Sequence, residues 1–142
     1  MIKHQFSLIC GHAVVDERTK LLSVFDIIEQ INVKADADQT IQIPMHFDLV
    51  SAWIKDEIGK SESATTRISL CKPKEIVNEI KVVDIEFAQS TFFRSIISFS
   101  GIKLTGPGLY KFLIEIKQED KEWEEVAEIP FTVSYNPIDK AS

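Results

Sequence analysis

The sequence predicts an all-β protein, an antiparallel immunoglobulin-like or C2-like β-sandwich of about eight strands. The main observation lies in residues 101–133, where apolar and charged side chains alternate after a Pro-Gly turn. The first alternating run places four residues on one side: Tyr110, Phe112, Ile114 and Ile116. A second run follows a charged turn at residues 118–122 and places six on one side: Trp123, Ala127, Ile129, Phe131, Val133 and Tyr135. Such alternation is typical of strands with one solvated face. The two strands therefore form a hairpin whose apolar face needs a second sheet.

Other apolar runs supply the remaining strands. Residues 47–54 are apolar on both parities, and residues 5–15 largely so, which is typical of central strands. Three further strands are predicted, at residues 65–71, 80–87 and 91–104. Polar residues predict loops or connections at 34–40, 55–63 and 75–79. We expect residues 55–63 to be the most mobile of these.

Residues 21–31 are the ambiguous segment. Apolar residues at helical spacing mark one face: Leu21, Val24, Phe25, Ile28 and Ile31. The β-branched content and the short turn before the segment favour a strand that pairs back on the first one. Periodicity alone favours a helix.

Motifs at both ends of the chain resemble a family of small uncharacterised bacterial proteins. The first motif is Ala13-Val14-Val15-Asp16, a charged turn and Leu21-Leu22-Ser23-Val24-Phe25-Asp26-Ile27-Ile28. The second is Pro107-Gly108-Leu109-Tyr110-Lys111-Phe112, followed by a last strand with Ile129-Pro130-Phe131-Thr132-Val133. The resemblance implies an all-β sandwich and a strand at residues 21–25, and it implies no activity. The chain differs from the family in its longer middle, residues 61–86, and in lacking a turn glycine near Arg18.

We therefore expect residues 21–25 to pair antiparallel with the first strand, and no helix longer than two turns. The 142 residues fit a single sandwich domain at 1–135 with a tail at 136–142. Cys10 and Cys71 lie in apolar runs, where we expect buried free thiols, with a bridge between them as the alternative.

Composition narrows the class of partner and the location. A net charge of −6 argues against nucleic acid as a partner, because phosphate binding rests on clustered Lys and Arg. No run approaches the length of a membrane helix, so no membrane partner is expected. The N-terminus has too short an apolar part for a signal peptide, and the cytoplasm is the expected location.

No catalytic, cofactor or metal site is predicted. Five residues are candidate zinc ligands, but their spacing fits no zinc motif: His4, Cys10, His12, His46 and Cys71. Asp36 and Asp38 lack the glycine and glutamate of a calcium loop, which favours a solvated loop. Asp26 lies in an apolar run, where it can cap a bend or serve as a buried acid. Residues 106–108 fit a turn better than a phosphate loop.

Three functions remain open. The first is a non-catalytic binding or protein-interaction module, whose partner is another protein or the chain itself. The second is a small-ligand carrier or enzyme with a site at one end of the sandwich, and the third is a self-associating structural subunit. Phe92, Phe93 and Arg94 form a possible exposed patch, although phenylalanines in strands are mostly core residues.

Overall fold

The computed structural model describes residues 1–56, 62–72, 75–87 and 91–138, with backbone only for 75–81. Within these residues the chain forms strands and no helix, which confirms the all-β prediction. The strands are β1 (Ile2–Val15), β2 (Leu22–Ile27), β3 (Gln30–Lys34), β4 (Thr40–Ile43), β5 (Phe47–Lys55), β6 (Glu62–Lys72), β7 (Glu75–Phe87), β8 (Phe92–Phe99), β9 (Ile102–Thr105), β10 (Gly108–Gln118) and β11 (Glu124–Asn136). This is more than the eight or so that the sequence predicts.

Two sheets form the sandwich. Sheet A has the strand order β2-β1-β5-β8, and sheet B has the order β3-β11-β10-β6-β7. Strands β4 and β9 form a separate antiparallel pair, whose residues Ile102 and Leu104 join the same core. The pairing within both sheets is antiparallel, except that β3 runs parallel to β11. The described residues are thus a predominantly antiparallel β-sandwich.

Alternating side chains of the two sheets meet in the core. On sheet B, Tyr110, Phe112 and Ile114 are at most 1% exposed. On sheet A, Phe47 stacks on Phe99, with ring centroids 4.9 Å apart. Burial of this apolar area is the main force that holds the sheets together.

Residues 21–31 form two strands, so the strand interpretation is correct. Strand β2 pairs antiparallel with β1, from Cys10 opposite Ile27 to Val15 opposite Leu22. The chain then crosses to sheet B, where Ile31 is 7% exposed in the core. The helical spacing wrongly indicated a helix, because its apolar residues lie in or next to two strands that belong to different sheets.

The middle of the chain corrects two predictions. Residues 75–79, predicted as a connection, belong to strand β7, which pairs antiparallel with β6. The single strand predicted at 91–104 is two strands, because the chain bends at Gly101 between β8 and β9. A Cβ atom at Gly101 would lie 2.7 Å from Gln42 Nε2 and 3.1 Å from the Ile43 carbonyl oxygen, so a larger residue here would require these neighbours to shift. Residues 57–61 of the predicted mobile loop, and 139–142 of the tail, lie outside the described residues.

The glycines at 106–108 form a turn, as predicted. Gly106 and Gly108 have φ of 101° and 137°, the left-handed region that favours glycine. The Tyr110 hydroxyl donates a 2.6 Å hydrogen bond to the Gly106 carbonyl and accepts one from the Thr105 amide at 3.0 Å. This arrangement resembles the tyrosine corner of immunoglobulin-like sandwiches. It fixes the entry of the chain into β10.

Trp123 does not lie on the inner face of the terminal hairpin, contrary to the prediction. A β-bulge in β11 shifts the register, so that Ile114 faces Ala127 but Glu115 faces Glu125. The extra residue reverses the side-chain parity before it. Trp123 therefore lies on the outer side of sheet B, with its ring 4.2 Å from the Arg67 guanidinium carbon.

Candidate interaction surface

Large exposed hydrophobic side chains concentrate on sheet A. Twelve such side chains occur among the described residues, and eight belong to β1, β2, β8 or the turn between β1 and β2. We call these eight the apolar surface: Phe6, Val14, Val15, Leu21, Phe25, Ile27, Phe92 and Ile96. Exposure reaches 53% at Phe25, 56% at Ile27 and 65% at Phe92. Such a concentration is unusual for a surface that faces only water.

The outer face of sheet B has the opposite character. Arg67 donates two hydrogen bonds to the Glu115 carboxylate, both at 3.0 Å. Lys111 and Glu128 form an ion pair at 2.6 Å. Paired charges of this kind are typical of a solvated face, so the apolar surface is a property of sheet A and not of the whole molecule.

The outer half of the β1–β2 hairpin, residues 12–25, forms an arm. Strand β1 pairs with β5 only as far as Cys10, and beyond that point it pairs with β2 alone. The arm begins where Gly11 lies beside Asp26, which has a φ of 57°. A Cβ atom at Gly11 would lie 3.3 Å from the Asp26 Cβ, so a larger residue at this position would crowd the bend.

Two hydrogen bonds hold the arm against the outer face of sheet A. The Ala13 amide donates to Asp48 Oδ2 at 2.9 Å. The Arg94 guanidinium donates to the Lys20 carbonyl at 2.8 Å. Asp48 and Arg94 share the side of sheet A that faces away from the core, as the register with β5 and β8 shows. The arm therefore lies against this face of the sheet.

Asp48 is the buried charge of this region. It is 3% exposed and accepts a 2.6 Å hydrogen bond from the Ser98 hydroxyl in addition to the bond from Ala13. His46 Nε2 lies 3.5 Å from its Oδ1. Burial raises the pKa of the Asp48 carboxyl, but the two hydrogen bonds and the nearby histidines outweigh it, and the pKa lies below its ordinary value. Asp48 thus stays ionised and serves as an anchor for the arm.

A groove of about 460 Å³ opens between the tip of the arm and sheet A. It is lined by Gln5, Phe6, Lys20, Leu22, Ala52, Trp53, Phe92, Phe93 and Arg94. None of these residues, all within the described part of the chain, carries a carboxylate. The volume is in the range of ordinary ligand pockets.

Two other clefts have a different lining. One, of about 490 Å³, includes Asp84, Glu86, Glu119 and Asp120 together with Lys117. The other, of about 390 Å³, includes Glu62 and Glu119 together with Lys121. Carboxylates outnumber lysines four to one in the first cleft and two to one in the second, so the groove beside the arm differs from both in charge.

The candidate zinc ligands lie apart from one another in the structure. His4 packs its ring against Trp53 at 5.0 Å, whereas His12 stacks on Phe25 at 6.4 Å. A register shift between His4 and Phe6 places His4 and His12 on opposite faces of β1, which their even spacing does not predict. Cys10 lies in sheet A and Cys71 in sheet B, and both are free and buried, as predicted.

The other candidate residues have simple surroundings. Asp26 is exposed at the bend of the arm, so it is not a buried acid. Asp36 and Asp38 are exposed in the turn between β3 and β4. Phe92 and Arg94 face outward from β8, whereas Phe93 packs inward, 5.7 Å from the ring of Phe87.

The sequence does not predict the arm or the groove. Their signal is the apolar character of both parities in residues 5–15 and 47–54. That pattern shows that the outer side of these strands is apolar, but it does not show that a bent hairpin covers one part and leaves another open.

The described residues contain neither a cluster of metal-binding side chains nor a membrane-spanning helix. No three or more His, Cys, Asp or Glu side chains there stand close enough to hold a metal ion. Nor does any helix in that part of the chain have the length and apolar character needed to cross a membrane.

The chain has a distant structural similarity to one part of a larger enzyme. No protein-family model matches the chain, and no curated protein matches it. Among solved structures, the chain is similar to part of a β-glucosidase from Listeria innocua, crystallised in complex with glucose, with 11% identity and a TM-score of 0.44. The match covers 78% of this chain but only 15% of that one. The strand order of the described residues defines the class as an all-β sandwich.

Proposed function

We propose that this chain is a non-catalytic protein-interaction β-sandwich module, which binds another protein or a second copy of itself through the apolar surface of sheet A. The observation that carries the proposal is the contrast between the two outer faces. Of the twelve exposed large hydrophobic side chains among the described residues, eight belong to sheet A or to the turn between β1 and β2, whereas sheet B has Val82 and Leu109 and carries paired charges on its outer face. Contact with a partner removes such apolar area from water.

Two further proposals accompany it. The free thiols of Cys10 and Cys71 support a reducing compartment, and hence the cytoplasm. The β1–β2 pairing and the turn at Gly106 and Gly108 support membership of the family of small bacterial proteins whose motifs the chain resembles.

Affinity capture with surface variants tests the interaction. The tagged chain is incubated with lysate of its host and, separately, with untagged chain. Phe25→Glu and Ile27→Glu place a charge on the apolar surface, and we expect each to reduce the captured polypeptides at least fivefold. Leu109→Glu is the matched control, since Leu109 is 51% exposed on the outer face of sheet B.

Circular dichroism and thermal melts first establish that all three variants are folded. Equal capture by the Phe25, Ile27 and Leu109 variants, or no capture by the unchanged protein, would contradict the proposal. Retention of untagged chain alone would identify the partner as a second copy.

A further inference from the structure

The groove between the arm and sheet A combines aromatic walls with positive charge. Ala52 of β5 pairs with Phe6 of β1 on one side and with Arg94 of β8 on the other. These three neighbouring positions carry an aromatic ring, a methyl group and a guanidinium. Adjacent strands are about 4.8 Å apart, which places the Cα atoms of Phe6 and Arg94 about 10 Å apart. Ala52 itself is 3% exposed, so the open part of the groove lies against the more exposed side chains of Phe6 and Phe92.

The apolar part of the groove is accessible. Phe6 is 38% exposed and Phe92 is 65% exposed. Leu22 of the arm lines the same groove. An aromatic or long aliphatic group that enters here exchanges water for contact with two rings and an aliphatic side chain.

The charged part is set by Arg94 and Lys20. The bond from Arg94 Nη2 to the Lys20 carbonyl, at 2.8 Å, uses one of the five guanidinium N–H donors and fixes the position of the group. Lys20, whose carbonyl accepts this bond, also lines the groove, so a second basic residue lies beside Arg94. The chain has 22 acidic and 16 basic residues, so a cleft with two cations and no carboxylate runs against the charge of the whole molecule.

From this complementarity we infer that the groove receives a segment of a partner protein that carries a large apolar side chain beside a carboxylate. The inference rests on the proposed function and gives it a ligand chemistry. The apolar side chain lies against Phe6 and Phe92, and the carboxylate accepts hydrogen bonds from Arg94. Two cations are too few for a nucleic-acid backbone, since phosphate binding rests on many such contacts.

Titration of the full chain, followed by amide chemical shifts, tests this chemistry with two small probes. 3-Phenylpropionate supplies the ring and the carboxylate, and 3-phenylpropylamine supplies the ring with a positive charge instead. We expect saturable shifts at Phe6, Ala52 and Arg94 with the acid and at least fivefold weaker binding of the amine. Equal binding of the two probes, or shifts confined to other strands, would overturn the inference.

Charge variants identify the group that holds the carboxylate. Arg94→Gln removes a charge-assisted hydrogen bond and should weaken binding of the acid about tenfold. Lys103→Gln removes the same charge from exposed β9 and should leave binding unchanged. If Arg94→Gln fails to fold, Lys20→Gln replaces it and should weaken binding at least twofold. Full affinity in the folded variants of both cations would count against the assignment.

Binding of two short peptides distinguishes a protein segment from a small-molecule ligand. Acetyl-Ala-Phe-Asp-Ala-amide should bind the groove more tightly than 3-phenylpropionate, and acetyl-Ala-Phe-Lys-Ala-amide should bind at least fivefold more weakly than the Asp peptide. Binding of the acid without the Asp peptide would make the groove a small-molecule site and overturn the inference. If neither binds while capture still depends on Phe25 and Ile27, the inference fails and the interaction module stands.

Discussion

The ring of Phe47 in sheet A lies 5.9 Å from the ring of Phe112 in sheet B, centroid to centroid. Phe112 also stacks on Phe131 at 5.4 Å and has no exposed surface. These contacts join the two sheets through aromatic rings, and next to Phe131 on β11 the side chains of Pro130 and Thr132 are exposed. The apolar face predicted for the terminal hairpin is therefore buried against sheet A and helps to hold the two sheets together.

Truncation of Phe112 tests this role. Phe112→Ala removes a fully buried ring and leaves a cavity, which should lower the free energy of unfolding by about 3 to 5 kcal/mol. Lys111→Ala, at the next position but on the solvated face, should change it little. Urea melts measure both. Equal losses would show that this strand is buried on both faces.

Trp123 gives a second test, of the bulge in β11. Because its ring lies over Arg67 on the outer face, Trp123→Ala should cost about 1 kcal/mol, the scale of an exposed cation–π contact. Phe131→Ala, on the inner face, should cost about 3 to 5 kcal/mol. In addition, acrylamide should quench Trp123 fluorescence in a Trp53→Phe variant more than Trp53 fluorescence in a Trp123→Phe variant, since Trp53 is 1% exposed. Equal quenching would contradict the assigned faces.

The thiols make a third prediction. Burial raises the pKa of both Cys10 and Cys71 above its ordinary value, so little thiolate is present at neutral pH. Cys10 is 0% exposed and Cys71 is 4% exposed. A thiol reagent should therefore label neither residue in the folded protein and both in denaturant. Mass spectrometry after a short pulse locates the label, and rapid native labelling of either residue would refute the prediction.

The parts of the fold that the sequence predicts are those set by local alternation. The terminal hairpin, the buried strand at residues 47–54 and the turn at Gly106 each follow from side-chain parity or glycine conformation. The bulges in β1 and β11 escape prediction, because a single extra residue changes the facing of His4 or Trp123 without changing composition. The sequence of residues 75–79 likewise gives no sign that long-range pairing with β6 makes them a strand.

The groove is beyond sequence reasoning for a different reason. Its cationic side needs Lys20 and Arg94 to meet, and these residues are 74 positions apart in the chain. Their contact depends on the bend of the arm at Gly11 and Asp26. A sequence pattern records neither the direction of such a bend nor the surface that it covers.

Asp48 makes the last prediction, because it joins the arm to the sheet through an ionised carboxylate. Its pKa is lowered in the folded protein, so the stabilisation that it provides is present above the unfolded pKa of about 3.9 and is lost as the pH falls through the lower folded pKa. Asp48→Asn keeps the shape but removes the charge. The variant should be less stable than the unchanged protein at pH 7, and the difference should shrink between pH 4 and pH 2. Asp38→Asn, in an exposed turn, is the matched control and should follow the unchanged protein at every pH. Urea melts across this range measure the difference, and a constant difference between the Asp48 variant and the unchanged protein would show that the charge of Asp48 does not hold the arm.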